Sequence, residues 1–176
     1  MNTIVPLATL IALVVFIFLA RQRKAEAAPP AGPISSWKIS ESWSISQGTD
    51  NGRPIFTRFN MGLKPYVGRS EFSHQVGMAV PLKAPTTDGL PTSEEAEQLD
   101  QIEDEIRNRL LIGNESLLAG VITTNGMREF VLYTSDPAAA MAKADELARS
   151  VHHHRIQVVV NDDPEWRVFS HFGPGA

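Results

Sequence analysis

The chain has 176 residues, 43% hydrophobic and 20% charged, proportions of a folded globular protein rather than a disordered one. Its net charge is −4, and without Arg21, Arg23 and Lys24, which sit close together, 13 basic face 20 acidic side chains, a net of −7. That sign argues against a phosphate-backbone binder, so nucleic acid is set aside as a partner. The absence of cysteine excludes disulfides, thiolate catalysis and cysteine-based zinc or iron–sulfur sites.

Thr3 to Ala20 is an almost unbroken apolar run without charge. Eighteen helical residues at ~1.5 Å each reach ~27 Å, close to the ~30 Å hydrocarbon core of a bilayer. The run predicts one transmembrane helix over residues 3–20, with the lipid bilayer as its partner. No charge precedes it, and Arg21-Gln22-Arg23-Lys24 follows it. This order favours an uncleaved inner-membrane anchor with the remainder of the chain in the cytoplasm. The alternative is a cleaved signal peptide and export, with Ala25-Glu26-Ala27 as the small-x-small site. Residues 21–36 form a basic and then Ala/Pro-rich spacer, residues 37–172 the folded domain, and residues 173–176 a disordered tail.

Within the domain, Trp37, Ile39, Trp43 and Ile45 alternate with polar residues. With the turn at Asp50 to Pro54 and the extended stretch Ile55 to Phe59, they predict a β-hairpin. Alternation returns at Phe72, His74, Val76, Met78, Val80 and Leu82, which are expected on one face of a strand. Thr92 and Glu95 have capping-box spacing at the head of a helix with Leu99, Ile102, Ile106 and Leu110 on its inner face. Leu117 to Thr124 and Met127 to Tyr133 flank Asn125-Gly126, a strong hairpin signal because both turn positions need positive φ. Asp136 and Pro137 open a second helix, and Arg155 to Val160 reads as a last strand. From Phe72 onward the order is β-α-β-β-α-β. The expected fold is therefore α+β, a ferredoxin-like βαββαβ sandwich preceded by a β-hairpin.

Several stretches carry a resemblance: Asp88 to Thr92 leading to Glu95 and Leu99, Ile102-Glu103-Asp104, Ile122 to Phe130, and Asp162-Asp163-Pro164-Glu165-Trp166. Together, over about Trp37 to Phe172, the chain resembles the bacterial domain-of-unknown-function family 695. The resemblance implies an α+β fold and no activity.

Pairing across Asn125-Gly126 sets Thr124 opposite Met127, Ile122 opposite Glu129 and Val121 opposite Phe130. One face then carries Ala119, Val121, Phe130 and Leu132 and is assigned to the helices. The other carries Ile122, Thr124, Glu129, Val131 and Tyr133, joined by parity with Ser73, Gln75, Arg155 and Gln157. A ferredoxin-like sheet leaves that second face free of helices. Gln75, Glu129, Tyr133, Arg155 and Gln157 are therefore the candidate binding residues, weighed against an ordinary solvated face or one covered by the hairpin. His152-His153-His154 invites a metal, but alternate histidines on a short strand lie too far from Asp162 and Asp163 to share one, so no metal site is assigned. Asn125, Gly126, Asp162, Asp163, Pro164 and Trp166 are read as structural, the last four as an Asp-capped turn with Pro164 opening a short helix and Trp166 plugging the core. The Glu103–Glu105 run is read as a solvated helix face. No catalytic residues and no cofactor are assigned. The reading is a non-enzymatic interaction or regulatory module with a protein partner on its open sheet face. The alternative is a small-ligand binder or enzyme using Glu129, Arg128, His74 and the Asp162–Asp163 turn.

Overall fold

A computed structural model describes residues 33–173. The expected membrane helix over residues 3–20, residues 21–32 of the spacer, and residues 174–176 lie outside the described residues. Among those described, no helix is long and apolar enough to cross a membrane. The fold is α+β, built on one six-stranded antiparallel sheet.

Strands β1 (Trp43–Asp50) and β2 (Arg53–Asn60) form the expected hairpin, turning at Asn51 and Gly52 with φ of 49° and 78°. Strand β3 (His74–Pro81) precedes helix α1 (Ser93–Leu110). Strands β4 (Ser116–Thr124) and β5 (Met127–Thr134) turn at Asn125 and Gly126, again both at positive φ. Helix α2 (Pro137–Ser150), strand β6 (Gln157–Asp162) and the short helix α3 (Arg167–Phe172) follow. The sheet order is β1-β2-β4-β5-β3-β6. The four strands from β3 onward thus take the order of a split βαβ unit, and the hairpin extends the sheet beyond β4.

Each face of the sheet carries its own core. Val76, Met78, Val80, Leu118, Val121, Phe130 and Leu132 pack against Leu99, Ile102 and Ile106 of α1 and Ala140, Ala144 and Leu147 of α2. The opposite face carries Ile55, Phe59, Leu117, Ala119, Ile122, Val131 and Tyr133, packed with Trp37, Leu63, Tyr66, Phe72, Trp166 and Phe169. This second core corrects the expectation of a face left open. It is closed by the residues before β1, the 3-10 turns Met61–Tyr66 and Ser70–Phe72, and α3.

Four local expectations change for physical reasons. Trp37 and Ile39 precede β1, and the Trp37 ring lies 4.9 Å from that of Tyr66 and 5.7 Å from that of Phe72, so their alternation belongs to an extended plug rather than a strand. Phe72 ends a 3-10 turn before β3, which frees it to join the second core instead of the helix face. A register shift between Leu118 and Gly120 moves Ala119 to the second core, because one extra residue reverses the alternation beyond it. Glu103 is buried rather than solvated, ion-paired with Arg58 and with Arg107 (3.0 Å).

The register across Asn125–Gly126 places Thr124 opposite Met127, Val121 opposite Phe130 and Ile122 opposite Glu129, as the turn chemistry requires. Gly126 N–H donates to the carbonyl of Gly89, and Leu82 N–H donates to that of Gly126, which ties this turn to the loop leading into α1.

Candidate functional site

Four of the five candidate residues, Gln75, Glu129, Tyr133 and Gln157, fall along three strands of the second face. Gln75 on β3 stands between Tyr133 on β5 and Asn161 on β6; Gly77 stands between Val131 and Val159; Ala79 stands between Glu129 and Gln157. The first of these rows is covered. Tyr133 is fully buried, its ring stacked on Trp166 at 3.9 Å with only 2° between planes, and its hydroxyl donates to Asp163 Oδ2 at 2.8 Å. Burial, reinforced by the neighbouring Asp163 carboxyl, raises the Tyr133 pKa, so the phenol stays protonated. Gln75 is also buried, accepting from Asn161 Nδ2 at 3.2 Å. Arg155 precedes β6 and is exposed, outside the sheet face.

Asp163 is the hub of the covering turn. Its Oδ2 also accepts from the backbone N–H of Arg167 at 2.9 Å, capping α3, while its own N–H donates to the carbonyl of Ser73. Burial raises the Asp163 pKa against these hydrogen bonds, and Oδ1 is buried without a hydrogen-bond partner. Trp166 is held at φ 53°, a left-handed conformation that costs a bulky residue energy, and its indole N–H donates to the carbonyl of Phe72 at 2.8 Å. Asp162 and Pro164 are exposed at the rim of this turn.

The third row differs. Glu129 is half-buried, and among the described residues its carboxyl makes no hydrogen bond or ion pair. The side chain lies across Gly77 of the adjacent strand: a Cβ on Gly77 would stand 3.0 Å from Glu129 Oε1 and 3.8 Å from Gln75 Nε2. The missing side chain at Gly77 is what allows the carboxyl to lie flat on the sheet. Burial without a countercharge raises the Glu129 pKa from 4.5 to about 7. Near neutral pH the group is therefore divided between acid and carboxylate. Around it stand Gln75, with an amide N–H₂ able to donate, and the half-buried Gln157 and Val159.

The alternative set is brought together only in part: His74 neighbours the Asp162–Asp163 turn, while Glu129 and Arg128 lie elsewhere and on opposite faces of the sheet. Arg128 lies on the helix side, donating from Nε to Thr123 Oγ1 (3.1 Å) and pairing with Asp100 (2.9 Å). There it borders a groove of about 350 Å³ lined by Phe56, Arg58, Leu90, Pro91 and Val121. His74 pairs across the sheet with Asp162 and Thr134, at the far end of β3 from Ala79.

Glu95 is a buried polar hub that the sequence showed only as a capping residue. Thr92 accepts from its backbone N–H at 3.2 Å, but the carboxylate turns away, accepting from the N–H of Lys83 (2.6 Å), the N–H of Ala84 (3.4 Å) and the ring of His154 (3.0 Å). Burial opposes its ionisation, but those hydrogen bonds outweigh it and hold the carboxyl below its ordinary range.

An α+β domain with a second core on the sheet face opposite its two long helices, and an unpartnered carboxyl at the edge of that core, is the class these features define. The chain belongs to a family of unknown function (DUF695), whose model matches residues 41–172. No curated protein and no solved structure matches it.

Proposed function

We propose that the domain is a non-enzymatic binding module, and that Glu129 receives a cationic side chain, lysine or arginine, from a protein partner. The observation that carries this is the Glu129 carboxyl itself, half-buried over Gly77 with no countercharge among the described residues. A cation placed there supplies the missing partner, draws the carboxyl pKa down and releases a proton when binding occurs below about pH 7. Gln75 Nε2 and the half-buried Gln157 add hydrogen bonds at the rim, so the docking strip is the β5-β3-β6 end of the second face rather than the whole of it. We further propose that the apolar run at residues 3–20 anchors this module in an inner membrane with the domain on the cytoplasmic side, as the charges at Arg21, Arg23 and Lys24 direct.

The test is crosslinking capture from membranes with the full chain beside Glu129→Gln and Glu129→Arg variants of unchanged circular dichroism. A partner held by the intact chain, weakened by Glu129→Gln and lost with Glu129→Arg, supports the reading. Equal recovery with all three refutes it.

A further inference from the structure

The three consecutive histidines are in the connection between α2 and β6, not in a strand. This removes the alternation that would have kept neighbouring imidazoles apart. His154 is buried with its side chain fully enclosed, while His152 and His153 are exposed. The rings of His153 and His154 meet edge to face, 83° apart, with their Nδ1 atoms 3.1 Å from each other.

We propose that His153 Nδ1 and His154 Nδ1 chelate a divalent transition-metal ion of the nickel, copper and zinc group, with the Glu95 carboxylate orienting His154 from behind.

Three observations support the site. First, two imidazole nitrogens bound to one ion at ~2.0–2.1 Å and a tetrahedral angle stand about 3.3 Å apart, so a separation of 3.1 Å is a slightly closed bite. Second, His154 Nε2 faces Glu95 Oε1 at 3.0 Å. An ionised carboxylate there requires the proton on Nε2, which leaves the lone pair on Nδ1, the atom turned to His153. This is the carboxylate–histidine arrangement that fixes tautomer and ring orientation at metal centres. Third, Glu95 is itself held by the backbone N–H groups of Lys83 and Ala84, so the orienting group is rigid.

The donors are borderline nitrogen ligands, which favour nickel, copper and zinc over magnesium or calcium. Solvent reaches the site from the His153 side, so water completes the coordination sphere. In the metal-free protein a single proton lies between the two Nδ1 atoms. The ion takes its place, and that proton passes through solvent to His153 Nε2, which keeps the ring a neutral ligand. The Lys83 ammonium is turned to Gln98 Oε1 at 2.9 Å rather than into the site.

The experiment is calorimetric titration of the untagged full-length chain with Zn²⁺ and with Ni²⁺ at neutral pH, repeated on His153→Ala, His152→Ala and Glu95→Gln. Long-range ¹⁵N spectra of the histidine rings are recorded alongside. One equivalent binds, and the Nδ1 resonances of two rings shift on saturation. His153→Ala, at an exposed position that leaves the fold intact, lowers affinity at least tenfold, and His152→Ala leaves it unchanged. Glu95→Gln, with its fold verified, lowers it ~10- to 100-fold through the orienting hydrogen bond. Absence of saturable binding by either ion overturns the proposal and leaves the two rings as a hydrogen-bonded pair. Binding that survives His153→Ala, or that depends on His152 instead, also overturns it.

Discussion

Replacing Glu129 by glutamine removes a charge but keeps the shape, and the cost of that charge follows from the structure. The carboxyl has a pKa of about 7 in the folded domain against 4.5 in the unfolded chain. A raised carboxyl pKa means that the folded state holds the proton more tightly, so ionisation penalises folding. The penalty is absent below pH 4.5, grows as pH rises towards 7, and is complete above it. At ~1.4 kcal/mol per pKa unit the full penalty is about 3 kcal/mol, a large share of the ~5–15 kcal/mol stability of an ordinary domain. Urea unfolding of the full chain and Glu129→Gln at pH 5 and pH 8 measures it. The variant is the more stable by about 3 kcal/mol at pH 8 and by less than ~1 kcal/mol at pH 5. A difference that is the same at both values would show that the Glu129 carboxyl is solvated in the folded state, and the reasoning from Gly77 would fail with it.

Other substitutions test neighbouring parts of the argument. Gly77→Ala sets a methyl 3.0 Å from Glu129 Oε1, at the end of a flexible side chain. At pH 5 stability changes by no more than ~1 kcal/mol, while the Glu129 pKa, followed by carboxyl NMR, falls from about 7 towards 4.5 as the group is displaced into water, which relieves most of the ionisation penalty at pH 8. Gly120→Ala is far harsher, because its Cβ would lie 2.3 Å from the Phe59 ring in a closed core; a loss of at least ~1–3 kcal/mol in urea unfolding is expected. Glu95→Ala leaves the N–H groups of Lys83 and Ala84 and the His154 ring without their acceptor, and costs ~2–4 kcal/mol, read by thermal unfolding. Because the Glu95 pKa is lowered, its contribution in the wild-type chain is present above the ordinary carboxylate range and is lost on acidification through the folded-state value.

Local chemistry was the legible part of this fold. Asn125 and Gly126 both need positive φ, and that requirement alone sets the β4–β5 register down to the pairing of Ile122 with Glu129. The inner face of α1 and the Asp136 cap of α2 followed from spacing in the same way. What escaped depended on contacts distant in sequence. Trp166 was legible as a core plug, but Leu63, Tyr66 and Phe169 carry no regular period, since they sit in 3-10 turns and a six-residue helix, so nothing local announced that they join it over the second face. The bulge at Ala119 has no turn residue to mark it. Glu129 was visible as a member of the second face, but its burial and lack of a countercharge are properties of the assembled sheet. Glu95 was visible as a cap, whereas its bond to His154 joins residues 59 positions apart.

The way the chain enters the domain has a mechanical consequence. Trp37 is buried only six residues ahead of β1, and Asn114 clasps the strand of chain around it, donating to the carbonyls of Ile34 and Trp37 at 3.1 Å each. A pull exerted through the residues before Ile34 is therefore borne first by this clasp and by the Trp37–Tyr66 ring contact, not by the β1–β2 ladder. Under load the clasp yields before the sheet does, withdrawing one wall of the second core while the helix-covered face keeps its packing.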